Sequence, residues 1–411
     1  MAENRTRALV STVRALHPGS DVDVVRGRRR DSGAAAEYLV LPNRHAPRLL
    51  VPAAPAGAAA RSVRRFSADT SYSETIRRLG VSTVIRGPGG AAFADRVVVR
   101  GEGHGSLARH LEEVLSVPVT FSLGIGTERV NRKPVLQVFG PSGDTLAFAK
   151  LGDSDRARAD VAAEAAALRQ VAGQDWNRLA MPTVLHQGDW GSMTLLLLSP
   201  LPTSPWQSPR GRGRSPTGPM AELAGAFGGQ AAPVAELDWF ARQHAVATSL
   251  EDDRRRATLL ACLERLRDAS GATEWTTGAW HGDWTPWNMA RAGTRVHLWD
   301  WERFETDVPV GLDHCHFLVN AVTRSQGTSP ETIRAGLAAA GAVPGAPGSR
   351  SHVLGALYLV AIAGRYLPLA EGSLGHHIAP RGECMLQTLG EWVSAGRDLP
   401  SLVLGPANGP A

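Results

Sequence analysis

The chain has 411 residues, 43% of them hydrophobic and 20% charged, which is too long for one ordinary domain and close to a soluble globular average. Its 44 Gly and 27 Pro stay below the level of wholesale disorder. The net charge of +5 is uneven: residues 1–235 carry 29 Lys+Arg against 20 Asp+Glu, and residues 236–411 carry 15 against 19, a split that excludes a chain-wide nucleic-acid surface.

Residues 1–116 are expected to form an accessory α/β region. Its first 35 or so residues, polar and Arg-rich (RGRRRDSG), are expected to be poorly ordered. Strands over Glu37–Asn43 and Arg48–Pro52 flank an Asn-Arg-His-Ala-Pro turn. Helices follow over Ala58–Phe66 and Tyr72–Leu79, then a strand over Arg96–Arg100 and a helix over Ser106–Val117 with Ser106 as its cap. Residues 117–202 change to strand, turn, strand, turn, strand: VTFSLGIG, VLQVFG and TLAFAK, the second turn being Pro141-Ser142-Gly143-Asp144. A helix over Ser154–Val171, stopped near Gly173, precedes a buried strand over Met193–Leu198. Ser199–Pro202 reads as a hinge, residues 203–219 as a Pro/Ser/Arg/Gly-rich exposed loop. Residues 220–411 read as mostly helical, with short strands near Trp280 and over Val296–Trp301, and with Ser329-Pro330-Glu331 opening one helix.

The chemistry concentrates in His281-Gly282-Asp283-Trp-Thr-Pro-Trp-Asn288, followed by Trp299-Asp300-Trp301-Glu302. Transfer of a γ-phosphoryl group needs an acceptor for the hydroxyl proton and oxygen ligands for Mg²⁺. An Asp and an Asn on one tight loop can face one phosphate from two sides. Val296, Leu298 and Asp300 are expected on one strand face, where the carboxylate ends an apolar row and wants a cation. A second signal is Lys150 at the end of TLAFAK, one of only two lysines in the chain with Lys133. Glu164 interrupts the apolar stripe of Val161, Leu168 and Val171, a costly place for a carboxylate without a partner, and Lys150 is the partner one strand earlier. A third signal is the turn at Gly124-Ile-Gly126, whose backbone amides can cover phosphates. A plain hairpin gives the same pattern, and Lys133 in that turn suits a phosphate or solvent equally.

Taken together these motifs resemble the aminoglycoside phosphotransferase and choline-kinase branch of the protein-kinase-like fold, over roughly residues 117–400. The resemblance implies an α+β, bilobal protein-kinase-like fold, with an antiparallel β N-lobe and a mostly helical C-lobe behind the small α/β region. It implies that Asp283 is the catalytic base, that Asn288 and Asp300 hold Mg²⁺, that Lys150 binds the α/β-phosphates of ATP, and that Glu164 orients Lys150. Gly124 and Gly126 would cover phosphates, and the backbone of Ser199–Leu201 would meet adenine. Asp313 in VGLDHCHFL matches a structural Asp that braces the catalytic loop, and His281 a position that packs under it. Gly282 stands where a protein kinase has Arg, no Phe-Gly follows Asp300, no Ala-Pro-Glu segment follows, and Phe148 replaces a small residue two before the lysine. These departures favour a small-molecule acceptor.

The expected activity is therefore an ATP- and Mg²⁺-dependent transfer of phosphate to a small-molecule hydroxyl. The acids Glu302, Glu305, Asp307 and Asp313 suit an amino-sugar or amino-alcohol. A kinase acting on Ser or Thr of a peptide and a catalytically silent nucleotide-binding scaffold are the alternatives. No nucleic-acid or membrane partner is expected: no apolar run approaches a membrane span, and the N-terminus lacks the apolar core of a secretory leader. Cys262, Cys315 and Cys384, three and far apart, fit a reducing cytoplasm. Gly101-Glu-Gly-His-Gly105-Ser106 departs from a dinucleotide fingerprint in its last position. His314 and His316 diverge on a helix, and Arg26–Arg30 and Arg210–Arg214 read as solvated runs.

Overall fold

A computed structural model describes residues 2–27, 31–87, 93–101, 105–125, 134–203, 214–346, 348–372 and 375–395. Helix α1 (Ala2–Leu16) and strand β1 (Asp21–Arg26) occupy the stretch expected to be poorly ordered. Leu9, Val13 and Leu16, spaced for one helix face, are buried; Arg5, Arg7 and Arg14 around them hide this stripe from composition. Then come β2 (Ala34–Leu41), β3 (Leu49–Pro52), α2 (Ala56–Ser62), α3 (Tyr72–Arg86), β4 (Asp95–Arg100) and α4 (Leu107–Leu115). Ser106 caps α4, its Oγ accepting from the Arg109 N–H. The strands β5 (Thr120–Gly124), β6 (Val135–Phe139) and β7 (Thr145–Gly152) lead to α5 (Asp155–Val171), β8 (Leu179–Ala180), β9 (Val184–Trp190) and β10 (Met193–Leu198).

The remaining elements are α6 (Thr217–Ala226), β11 (Ala231–Pro233), α7 (Asp238–Thr248), α8 (Asp253–Ser270), β12 (Glu274–Trp280), β13 (Met289–Ala292), β14 (Arg295–Leu298) and β15 (Glu305–Pro309). Helices α9 (Leu312–Gln326), α10 (Pro330–Ala339), α11 (Arg350–Glu371) and α12 (Ala379–Ser394) close the chain. A capping box at Ser329 and Thr332 starts α10.

The fold is mixed α+β, built on a nine-stranded sheet in the order β1-β4-β2-β3-β5-β6-β7-β10-β9, antiparallel at every step. The boundary expected at residues 116/117 falls inside this sheet: β3 pairs with β5, Leu49 opposite Gly124 and Leu50 opposite Leu123. One face buries Val99, Leu50, Leu123, Val138, Ala149 and Leu197 against α1 and α4 in a continuous apolar layer. On the other face α2 and α3 cover the front strands through Ala59, Ala60 and Ile85, while α5 packs on β7 and β10. Period-2 alternation puts Ser122, Gln137, Phe148 and Lys150 on that second face.

Residues Met1–Glu222 with His281–Glu305 form one compact unit, and Leu223–Trp280 with Thr306–Ala411 a second. The stretch 281–305, expected within the helical part, thus packs with the sheet. The second unit is a helical core around Trp239, Leu263, Leu357, Tyr358 and Trp392. Its α11 is long and apolar enough to cross a membrane by length and composition, which the sequence expectation missed. Most of that helix is buried inside its own unit, with the Trp392 Nε1–H donating to the His352 carbonyl at 2.9 Å.

Candidate active site

Strand β7 delivers Lys150 and α5 delivers Glu164. The helix starts at Ser154, whose Oγ accepts from the Ala157 N–H, and its first turn lies tight on the end of β7. A Cβ at Gly152 would stand 2.7 Å from the Arg158 nitrogen, so glycine there permits the close approach. Two and a half turns on, Glu164 is buried among Val161, Ala165 and Leu168. Lys150 Nζ donates to both Glu164 oxygens at 2.7 Å and also to Asp300 Oδ1. Burial pulls the Lys150 ammonium toward losing its proton, but Asp300 and Glu164 outweigh it and hold the group above its ordinary pKa. Burial pushes the Glu164 carboxyl up, with Lys150 opposing and Asp300 adding to the rise.

The acid-bearing loop is tied to the same place. Strand β14 stops at Leu298, so Asp300 does not end a strand row as expected. It turns out of the strand in a left-handed conformation, φ 65°, one that Asp tolerates better than most residues. The turn aims its carboxylate at Lys150 and lets the Trp301 N–H donate to Glu164 Oε1 at 3.3 Å. Just upstream, the Trp299 N–H donates to the Asn288 carbonyl at 3.0 Å. Asn288 Nδ2 donates to the Asp283 carbonyl at 3.0 Å and to Asp283 Oδ2 at 2.8 Å. Asp283, Asn288, Asp300, Lys150 and Glu164 thus belong to one hydrogen-bonded chain of groups.

His281 sits fully buried under the loop. The Asp283 N–H donates to its Nδ1 at 3.2 Å, so the proton is on Nε2, which donates to the Trp299 carbonyl at 3.1 Å. Its ring meets Trp301 edge-on at 4.8 Å. Gly282 has φ 77°, and a Cβ there would fall on the Arg303 carbonyl oxygen. That contact leaves no room for the arginine of protein kinases.

The donor chemistry fits Mg²⁺. With Nδ2 spent on Asp283, the Asn288 Oδ1 takes no hydrogen bond from any described residue, and Asp300 is 39% exposed. One carboxylate and one amide oxygen match an ion that keeps waters and binds substrate phosphates.

The other expected site residues stand as follows. Gly124 ends β5, opposite Leu49; Gly126 and Lys133 lie outside the described residues. Ser199 is partly committed, its N–H donating to the Thr183 carbonyl at 2.9 Å and its Oγ accepting from the Thr183 N–H at 2.8 Å. Leu201 follows in irregular chain, and the next carbonyl, of Pro202, accepts from His297 Nδ1 at 2.7 Å. Asp313 is buried in the first turn of α9, in the second unit. Residues 102–104 of the glycine-rich stretch are outside the described residues, and His316 Nδ1 meets the Tyr358 hydroxyl at 3.4 Å.

Several solved structures align with the chain at low identity. The aminoglycoside phosphotransferase APH(4)-Ia aligns over 68% of this chain and 97% of its own, at 13% identity and a TM-score of 0.44. A microcompartment-associated aminopropanol kinase aligns over 70% and 96%, at 13% identity and 0.38. A choline/ethanolamine kinase family protein from Mesorhizobium loti aligns over 66% and 92%, at 13% and 0.38. No protein-family model and no curated protein matches the chain. What the site can do follows from its own geometry.

Sequence reasoning missed one part of the site. Helix α2 ends at Ser62 rather than Phe66, and the freed segment runs to the acid-bearing loop. The Ala68 N–H donates to the Met289 carbonyl at 2.8 Å and the Asp69 N–H to the Pro286 carbonyl at 3.1 Å. No local pattern marks such a contact, because its partners are more than two hundred residues away.

Proposed function

We propose that this chain is an ATP- and Mg²⁺-dependent phosphotransferase acting on a hydroxyl group of a small molecule. The observation that carries this reading is the linked set just described: a lysine ammonium held by two carboxylates, bonded through one loop to an Asp–Asn pair. Lys150, kept charged, presents an ammonium to the nucleotide's α/β-phosphates. Glu164 fixes its position from the buried side. Asn288 and Asp300 would hold Mg²⁺, which when bound neutralises charge on the phosphates. Asp283, oriented by the Asn288 amide and the His281 ring, accepts the acceptor's hydroxyl proton. The acceptor oxygen forms the new bond to the γ-phosphorus as the bond to the bridging oxygen breaks, and ADP leaves with that electron pair. The acids that follow Asp300 in the same unit, Glu302 and Glu305, support an amino-sugar or amino-alcohol as acceptor.

The test is transfer of label from γ-labelled ATP across a panel of amino-sugars, amino-alcohols and peptides. Asp283→Asn should keep ADP affinity within a few-fold and lower transfer by roughly 10²–10⁴-fold, the range for a lost general base. Undiminished transfer by that variant would remove Asp283 from the base role. Label on peptides alone would overturn the small-molecule acceptor.

A further inference from the structure

We propose that Arg65 is an anion-binding residue, taking phosphoryl oxygens on the same sheet face that presents Lys150. Its guanidinium lies across β5, β6 and β7. Nε donates to Gln137 Oε1 at 3.1 Å, Nη2 to Ser122 Oγ at 3.4 Å, and the group lies over the Phe148 ring, 5.5 Å from its centre. Gln137 Nε2 in turn donates to Thr145 Oγ1 at 2.9 Å, so the amide oxygen is the atom turned to Arg65. Ser122, Gln137 and Phe148 are successive cross-strand partners. Lys150 stands two residues from Phe148 on that face, about 7 Å along the strand.

Among the described residues the hydrogen-bond partners of the Arg65 guanidinium are all neutral. In the same unit the buried Arg96 is matched by Glu37 at 2.6 Å, and the Arg78 beside Arg65 is matched by Glu74 at 2.7 Å. Lys150 is matched twice. Arg65 meets no carboxylate among the described residues, and burial and Arg78 lower its pKa to about 10, which still leaves it charged. Its Nη1 makes no hydrogen bond to any described residue. That leaves part of a planar donor fork, the group best shaped for phosphoryl oxygens.

Two neighbours say what this cation faces. A Cβ on Gly124 would stand 3.9 Å from Arg65 Nη1, placing the guanidinium beside the last residue of β5. Three and four residues on, Ala68 and Asp69 bond the loop that bears Asp283 and Asn288. Arg65 therefore lies on the sheet face of Lys150, beside Gly124, in the segment that bonds the loop of Asp283 and Asn288. The nucleotide as source of the anion rests on the phosphotransferase reading; the anion site itself does not.

The experiment is calorimetric titration of the full chain at low salt with inorganic tripolyphosphate, ADP and adenosine, for wild type, Arg65→Gln and Arg65→Lys, with melting curves for each. The expected result is that wild type binds tripolyphosphate and that Arg65→Gln weakens tripolyphosphate and ADP tenfold or more while adenosine binding is unchanged. Arg65→Lys should fall between, keeping the charge and losing the fork; it carries the test if Arg65→Gln does not fold. Equal tripolyphosphate binding by wild type and variants, or none by wild type, overturns the proposal. So does an equal loss of adenosine and ADP, which marks a merely structural arginine. Competition between tripolyphosphate and ADP assigns the anion to the nucleotide; independent binding assigns it to a phosphorylated acceptor. Wild type that binds tripolyphosphate but neither ADP nor adenosine would defeat the phosphotransferase reading and leave this one standing.

Discussion

Replacing Lys150 by Met keeps much of the side chain's stem and removes one ammonium. Glu164, 1% exposed, would keep only the Trp301 N–H at 3.3 Å, whereas Asp300 can turn to water. Leaving one member of a buried pair charged and alone costs about 3–5 kcal/mol. A second route gives a similar figure. The carboxyl can escape by holding a proton, and from an unfolded value near 4.3 that costs about 3.7 kcal/mol at pH 7. Since burial already pushes the Glu164 carboxyl up against the pull of Lys150, this is an upper value. The sign follows from linkage: in the variant the folded carboxyl holds its proton to higher pH than the unfolded one. The penalty is therefore absent below the unfolded value and grows by about 1.4 kcal/mol per pH unit above it, reaching only about 1 kcal/mol at pH 5. Urea unfolding at pH 5 and pH 7, followed by fluorescence of the buried Trp284 and Trp301, measures it. Lys150→Met with Glu164→Gln should recover most of the loss at pH 7. A Lys150→Met chain within 1 kcal/mol of wild type at pH 7, or equally weakened at both pH values, would refute this account of the pair.

Gly282→Ala should cost about 2 kcal/mol or more, since it combines a left-handed backbone with a Cβ on the Arg303 carbonyl; a melting temperature equal to wild type would refute the clash. His17, bonded to the Tyr38 hydroxyl at 3.1 Å, is pushed down by burial to about 4. The unfolded chain takes the proton first as pH falls below about 6.5, so stability should drop by about 1.4 kcal/mol per unit from there to about pH 4. His17→Phe should flatten that slope, and an unchanged slope in urea titrations across this range would clear His17.

The strands that carry the site were legible as short apolar runs bounded by turn residues, TLAFAK after Pro141-Ser142-Gly143-Asp144 and MTLLLL before Ser199-Pro200, and Ser154 marked the start of α5. The Lys150–Glu164 pair was legible because one acid interrupts an apolar stripe, and a buried acid needs a cation. Asp300 was legible as a residue that wants a cation but not in its geometry. Its left-handed φ is a property of one backbone torsion that no periodicity encodes. Strand β9 (VLHQGDW) escaped because its sequence does not alternate, and its burial is as irregular. Helix α1 escaped because its apolar residues are diluted by arginine and polar residues. The pairing of β3 with β5 escaped for a different reason. Which strand lies beside which is decided by partners distant in the chain, and the change of pattern at Val117 looked like a boundary.

That pairing changes what the first 116 residues are. Without β3, strand β5 would present its free N–H and C=O groups as an open sheet edge, at the strand that ends in Gly124. The α1 and α4 side chains complete the apolar layer beneath β5, β6 and β7, so the sheet face that presents Lys150 is backed by the front region. The same region sends Arg65 onto that face and bonds Ala68 and Asp69 to the loop of Asp283 and Asn288. An appended module would need none of these contacts; a linker and its own core would suffice. Arg65 sharpens the point, because an acid beside it would relieve its burial, as Glu37 does for Arg96, and none of the described acids does so. A half-buried cation with no carboxylate beside it among the described residues, on the face of Lys150, is a stability cost that makes physical sense where a ligand brings the negative charge. The front region is then part of the site in the structural sense, through the bonds of Ala68 and Asp69 to the loop of Asp283 and Asn288.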